Sequence, residues 1–445
     1  MTNSSRFTIL GSGIAGLGAA NLLHERGVRP TIYEARHRPG GLTTSHDTPD
    51  GYNFDEGVHI SFTNNERVKD LFAKGTDGQF ETGKVYCNNY WKGHWIKHPA
   101  QVNLHGLPTD LVVKCIQDFV IASANPEPVI NNYEDWLLAA FGETFARTFP
   151  AVYTVKYHTT EAKNLTTDWL GPRLYRPKLD EVLHGALSSE PLDVFYVNDF
   201  RYPTHGGYET FLKHFFPMAD IACDHQVSII DMAAKELTFA NGKRVSFENL
   251  ISSIPLPKLL PLIKGAPRDV LAAAELLAWS QALVVNIGIN RPIDLKPQWS
   301  YFYDEDIPFA RVSHRTNLSP TTAPAGHAAF QAEIYFSDKY RPFTGSTETW
   351  IELAIDGLIK AGLVQSRDEV VHRSSMFLPF GNIIFDHDRP KAIETVHGYL
   401  NDINIAYCGR FGDWGYIWTD QAFLSGERAA KVSLDRAEGR VVVPT

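Results

Sequence analysis

A doubly wound α/β sheet with a second, mixed α+β region is the fold this sequence predicts, and three observations carry the prediction. Residues 7–10 form a short apolar run of strand length. Residues 14–26 repeat apolar side chains at helical spacing until Gly27 stops them, and residues 30–34 return to strand composition. Gly11, Gly13 and Gly16 sit in a Gly-x-Gly-x-x-Gly turn between the first strand and the helix. Parallel strands joined by a helix require a right-handed crossover, which leads to an open sheet with helices on both faces.

Each element follows a local rule. Gly11 permits the tight bend, Gly13 lets the backbone approach a pyrophosphate, and Gly16 lets the helix pack close to the strand. The helix N-terminus then faces the phosphates with its partial positive charge. Glu34 ends the second strand eighteen residues beyond Gly16, where a carboxylate can accept hydrogen bonds from ribose hydroxyls; without a ligand it would merely end a strand. This Rossmann-like unit does not by itself separate NAD from FAD. Residues 224–254 alternate strand-like runs around an Ala-Asn-Gly-Lys turn, and residues 403–428 read strand, glycine turn, helix. The dinucleotide domain is therefore expected to be discontinuous, made of residues 1–65, 201–269 and 396–445, with 66–200 and 270–395 forming the substrate domain. Helices at 133–149 and 348–362 and strands at 282–289 and 328–336 are predicted there.

Composition narrows the function classes. A chain of 445 residues is too long for one ordinary core and suits two domains that can enclose a pocket. With 51 acids against 42 bases, a net charge of −9 and no Lys/Arg run, nucleic acid is disfavoured as a partner. A few arginines can still hold a single diphosphate against that charge. Cys87, Cys115, Cys223 and Cys408 lack metal-ligand spacing and read as buried thiols in a reducing compartment. The first strand leaves no room for a secretion signal, and the best apolar stretch, 111–124, is broken by Lys114, Gln117 and Asp118. No membrane span and a cytoplasmic location are expected. No Ser/His/Asp arrangement or metal cluster is evident, so no metal is expected.

Arg36, Gly40 and Gly41 follow Glu34 in the segment Glu-Ala-Arg-His-Arg-Pro-Gly-Gly. This resembles the second part of the fingerprint shared by amine oxidases, protoporphyrinogen oxidases and UDP-galactopyranose mutases, and the resemblance implies an FAD-binding domain. Gly40 and Gly41 would let the loop pass the ribityl and pyrophosphate, and Arg36 could pair with phosphate or cap the ribose region. Residues 409–416 precede a helical run at 420–430, a second helix N-terminus able to face the flavin. The resemblance adds Leu42, His59, Val227, Gly409, Arg410 and Gln421 to the cofactor contacts.

Five further segments, in order, resemble the UDP-galactopyranose mutases, the eukaryotic more than the common bacterial ones. They are residues 54–64 around His59, 169–173 from Trp169 to Arg173, 201–208, 299–311 with Trp299, Tyr301 and Arg311, and 409–416 ending at Tyr416. The resemblance implies a nucleotide-sugar mutase that interconverts pyranose and furanose through an adduct between the sugar and N5 of the reduced flavin, with no net redox change. It places Arg173 and Arg311 on the diphosphate of a UDP-linked sugar, Tyr301 and Tyr416 as hydroxyl donors to it, Trp169, Trp299 and Asn382 in the substrate site, and His59 beside the flavin. Arg173, Arg311 and His59 are the catalytic set it implies, and NAD(P)H or another reductant would reduce the flavin. The alternative on the same fold is an FAD-dependent oxidoreductase, which would need a steady electron acceptor. Three positions depart from the pattern: Phe62 replaces a second histidine of bacterial mutases, Asn382 a tyrosine, and Asp420 an asparagine.

Overall fold

The computed structural model describes residues 5–125, 127–171 and 174–440, organised by two seven-stranded sheets. In the first, strands run in the order Val227–Asp231, Glu236–Phe239, Arg244–Ser252, Ser5–Leu10, Thr31–Tyr33, Asp220–Ala222, and Ile405–Tyr407 pairs with Arg244–Ser252. Ser5–Leu10 lies parallel to both Thr31–Tyr33 and Arg244–Ser252, which in turn lies parallel to Ile405–Tyr407. Their carboxyl ends therefore leave one edge together, the edge where open α/β sheets bind ligands. The Val227–Phe239 and Phe239–Ser252 connections add an antiparallel hairpin array around the predicted turn.

The helix Ile14–Glu25 packs against the late helix Thr419–Ala437 through small residues. A Cβ on Gly18 would come within 2.1 Å of the Phe423 carbonyl oxygen, and one on Gly426 within 1.8 Å of the Ala15 oxygen. Glycine at both positions lets the two backbones touch, which explains how the last helix joins a unit begun at the first.

The second sheet runs Val370–Ile383, Trp279–Ile289, Ala328–Phe336, Arg311–His314, Trp299–Phe302, Cys87–Trp91, His94–Lys97. Side-chain alternation gives it two different faces. Leu283, Val285, Phe302, Val312 and Ile334 pack with Ile351, Ala354, Ile355 and Leu358 of the helix Thr347–Lys360. Each such fully buried aliphatic or aromatic side chain contributes about 1.5–3 kcal/mol. Tyr301, Arg311 and Glu333 are cross-strand partners in one row on the opposite face.

Two sequence expectations need correction. The helix predicted at 133–149 is broken into Tyr133–Phe141 and Glu143–Thr148. Gly142 between them has φ +77°, and a Cβ there would sit 2.4 Å from the Asp118 carbonyl carbon, so the chain turns where another segment presses on it. Cys223 is half-buried, whereas Cys87, Cys115 and Cys408 are buried; all four are free thiols. Among the described residues, no helix is long and apolar enough to cross a membrane, and no group of His, Cys, Asp or Glu could hold a metal ion.

Candidate functional site

A cavity of about 820 Å³ opens at the carboxyl edge of the first sheet and extends to the Tyr301–Arg311 row of the second. Gly11, Gly13, Glu34, Gly40, Gly41, Leu42, Gly409 and Arg410 line one end, and Val227 joins them. Backbone approach controls this end. Gly11 has φ +93°, Gly13 and Gly40 form a β-bridge, and a Cβ on Gly41 would lie 2.8 Å from the Gly13 Cα. Gly13 caps the first helix without a side-chain hydrogen bond, and no acid stands in its first turn. The first N–H groups thus remain available to an anion. Ser12 holds the Glu34 carboxylate in place, donating from its backbone N at 2.8 Å and from Oγ at 2.7 Å to Oε2.

Trp169, Trp299, Tyr301, Arg311, Asn382 and Tyr416 gather at the other end, together with His59. Glu333 accepts from Arg311 Nε at 2.8 Å and Nη2 at 2.7 Å, and from the Tyr335 hydroxyl at 2.7 Å. Burial alone would lower the Arg311 pKa, but Glu333 more than offsets it and holds the guanidinium well above its ordinary value. Nη1 is the nitrogen Glu333 does not use. The other Glu333 oxygen accepts from the Val58 backbone N at 3.1 Å, tying the arginine to the loop that carries His59. Trp299 Nε1 donates to the Tyr301 oxygen at 2.9 Å, which leaves the Tyr301 proton free for another acceptor. Tyr157 and Tyr416 share a hydroxyl–hydroxyl bond of 2.7 Å.

His59 Nδ1 lies 3.1 Å from the Gly57 carbonyl, a contact that requires the proton on Nδ1 and leaves Nε2 as a lone pair. Burial lowers its pKa, so the ring is neutral at physiological pH. Arg410 donates from Nε and Nη2 to the Ile417 carbonyl and from Nη1 to Asn382 Oδ1 at 3.0 Å, fixing Asn382 at the cavity wall. Phe62 also lines the cavity, edge-on to Trp418 with centroids 5.1 Å apart.

Three expected cofactor residues lie off the wall. Arg36 is turned away into an ion pair with Glu56 and donates to the Gly41 carbonyl at 3.0 Å, so its charge is already neutralised. Gly16 sits behind the turn, where a Cβ would be 2.0 Å from the Gly11 oxygen. Gln421 accepts from the Trp418 backbone N at 3.0 Å and caps the last helix. Arg173 lies outside the described residues.

Residues 9–74 match the model of the NAD(P)-binding Rossmann-like domain. A solved structure of reduced UDP-galactopyranose mutase matches over 98% of this chain and 96% of its own, at a TM-score of 0.91 and 27% identity. The chain is a flavoprotein similar to UDP-galactopyranose mutase over nearly its whole length. Its fold also resembles that of a candidate protoporphyrinogen oxidase from Exiguobacterium, at a TM-score of 0.71 and 16% identity over 98% of this chain and 100% of the other. A redesigned putrescine oxidase matches at 0.65 and 16%, covering 97% and 99%. The cofactor of the flavoprotein is FAD, and the glycine-walled end fits it: an uncapped helix N-terminus for the pyrophosphate and an oriented carboxylate beyond it.

Several residues of the flavoprotein site escaped the sequence reading. Tyr153 and Tyr157 line the cavity, stacked at 5.4 Å, and Tyr335 supports Tyr157 in a tilted contact at 4.8 Å. His98 and His158 line the cavity, and burial drives each down to about 3, so both are neutral. Behind the His59 loop, Arg315 and Asp55 form a fully buried ion pair at 2.8 Å, both side chains at 0% exposure, with the Tyr202 hydroxyl donating to the same Asp55 oxygen. Apart from Tyr153 and Tyr157, one turn apart on the helix Pro150–His158, these groups meet their partners from remote segments, which no local pattern signals.

Proposed function

We propose that the protein is an FAD-dependent nucleotide-sugar mutase that interconverts pyranose and furanose forms of UDP-galactose or a related UDP-linked sugar. The observation that carries this reading is that the arginine–tyrosine row shares one cavity with the glycine turn, so nucleotide diphosphate and flavin would meet inside it. Cavity charge agrees: Glu34 is the one carboxylate among the described lining residues, against Arg311, Arg410 and Lys258. FAD, when bound and reduced, supplies a nucleophilic nitrogen for the anomeric carbon and is not consumed.

The chain's own residues supply position and charge. Arg311, together with Arg173, holds the diphosphate and stabilises the negative charge that develops as UDP departs. Tyr301 gives its free proton to a phosphate oxygen, and Tyr416 gives one relayed through Tyr157. Trp169 and Trp299 exclude water from the sugar, and Asn382 offers a fixed amide to it. The neutral His59 presents Nε2 as an acceptor beside the isoalloxazine and carries no charge that would oppose sugar attack. Glu34 accepts from the adenosine ribose, while Gly16, Arg36 and Gln421 act through the loop and helices they brace. Residues 1–65, 201–269 and 396–445 form the FAD domain of this reading, and NAD(P)H or another reductant primes it.

The test is incubation of purified protein with UDP-galactopyranose and UDP-galactofuranose, with and without dithionite. Interconversion only with reduced flavin, without stoichiometric reductant loss, is expected. Oxidised sugar nucleotide formed with matching acceptor consumption would replace the mutase with the oxidoreductase.

A further inference from the structure

A second cavity of about 630 Å³ lies beside the flavin loop, sharing Gly41, Leu42 and Pro379 with the first. Ser374 and Asn286 open onto it, and Phe54, Met376, Phe377 and Leu378 give it an apolar wall. Ser374 Oγ is 3.0 Å from His372 Nε2, and His372 Nδ1 is 2.8 Å from Asp50 Oδ2. Asp50 stands 322 positions from His372, so no local pattern signals the arrangement.

Fixed donors and acceptors stand at both ends of this chain of contacts. Gln331 Nε2 donates to the Asp55 carbonyl at 2.7 Å and to Asn286 Oδ1 at 2.9 Å, so the buried Asn286 amide has its nitrogen turned toward Ser374. Asn286 Nδ2 donates to Ser374 Oγ at 3.2 Å. The Asp50 carboxylate can only accept, so the neutral imidazole of His372 carries its proton on Nδ1 and donates it there, which leaves Nε2 to accept from Ser374. Cross-strand register builds the anchor, since Gln331, Asn286 and Ser374 are successive partners across three strands. His372 is further packed against the rings of Tyr52, at 5.1 Å, and Phe54, at 5.4 Å. This is the tautomer and orientation in which an imidazole serves as general base to a serine.

We infer that Ser374, His372 and Asp50 form a second reactive site, a serine nucleophile for acyl transfer from carboxylic esters with a short apolar acyl chain. Ser374 Oγ forms a bond to the ester carbonyl carbon as its proton passes to His372 Nε2. The carbon–alkoxide bond breaks and the alkoxide leaves with that proton as an alcohol. Water then adds to the acyl-serine, gives a proton to His372 Nε2, and releases the carboxylic acid while Ser374 recovers its hydrogen. Asn286 Nδ2 has a second N–H, the donor nearest the developing oxyanion, and Phe54, Met376 and Leu378 take the acyl chain.

The flavin takes no part, so the test is independent of the mutase reading. The FAD-loaded protein is treated with an alkyl fluorophosphonate and digested, and the labelled peptide is located by mass spectrometry; p-nitrophenyl butyrate hydrolysis is followed in parallel. Stoichiometric phosphonylation of Ser374 is expected, with none at that peptide in Ser374→Ala and labelling slowed about 100-fold in His372→Gln. Flavin absorbance reports that each variant is folded. Wild-type protein that stays unlabelled at Ser374, or a His372→Gln variant that labels at the wild-type rate, overturns the proposal.

Discussion

The two ends of the main cavity are built from different materials. At the FAD end the chain withdraws side chains, and Gly11, Gly13 and Gly41 let backbone N–H groups reach the ligand. At the opposite end the backbone is ordinary sheet, and Arg311, Tyr301 and Glu333 make the site by projecting from one cross-strand row. A backbone-built site tolerates no added atoms but carries little charge of its own, whereas a side-chain-built site survives conservative exchanges and depends on buried electrostatics. The ion pair of Asp55 and Arg315 joins the two, since Asp55 also accepts from Ser45 Oγ, just past the Gly40–Gly41 loop, and Arg315 follows the strand of Arg311.

That junction gives the largest expected effect. Arg315→Met leaves Asp55 buried without its cation and should cost about 3–5 kcal/mol of stability, measured by denaturant unfolding. A loss confined to one end of the cavity, with the rest as stable as before, would show that the pair does not couple them. Arg311→Ala strands Glu333 and removes the phosphate donor. UDP affinity should fall by about 2–3 kcal/mol, roughly 30- to 150-fold by titration calorimetry, while FAD content stays at the wild-type level. The converse is Gly16→Ala, whose Cβ meets the Gly11 oxygen; about 2 kcal/mol of strain should appear as protein purified without visible flavin absorbance.

Acid should separate the ends further. Burial drives His98, His158 and His314 down to about 3, so the folded protein refuses protons that the unfolded chain accepts below its ordinary value of about 6.5. Stability is therefore full above that pH and declines as pH falls toward about 3, by about 1.4 kcal/mol per unit for each ring. His158→Phe should flatten the dependence of Tm on pH by one ring's share, and an unchanged slope would mean the ring is protonated in the fold. The smallest change is Tyr301→Phe. It leaves Trp299 Nε1 without an acceptor and removes one phosphate donor, about 1 kcal/mol and about fivefold in KM at unchanged flavin content.

The same contrast explains what could be read from the amino acids alone. Gly11, Gly13, Gly16 and Glu34 lie within one continuous segment, and the spacing of that segment reports a backbone path directly. Arg311, Tyr301 and Trp299 stood out because they share a short stretch, and Tyr416 because a resemblance named it. Glu333 and Tyr335 gave no signal, since their meaning lies in which strand they face. Arg36 misled for the same reason: its place in the loop suggested phosphate, but Glu56, reached through the fold, takes its charge. Gly142 shows the limit for helices, where periodicity ran through a position that Asp118 forces to turn.

The gathering of distant strands also bears on how the protein is made. Ser5–Leu10 cannot complete its sheet until Arg244–Ser252 exists, and the cavity wall is not closed until Gly409, Tyr416 and Ala422 have been added. Such contacts between remote parts of the sequence form slowly. Most of the sequence must therefore be in place before the flavin end can close, so the complete FAD site would exist only late in folding.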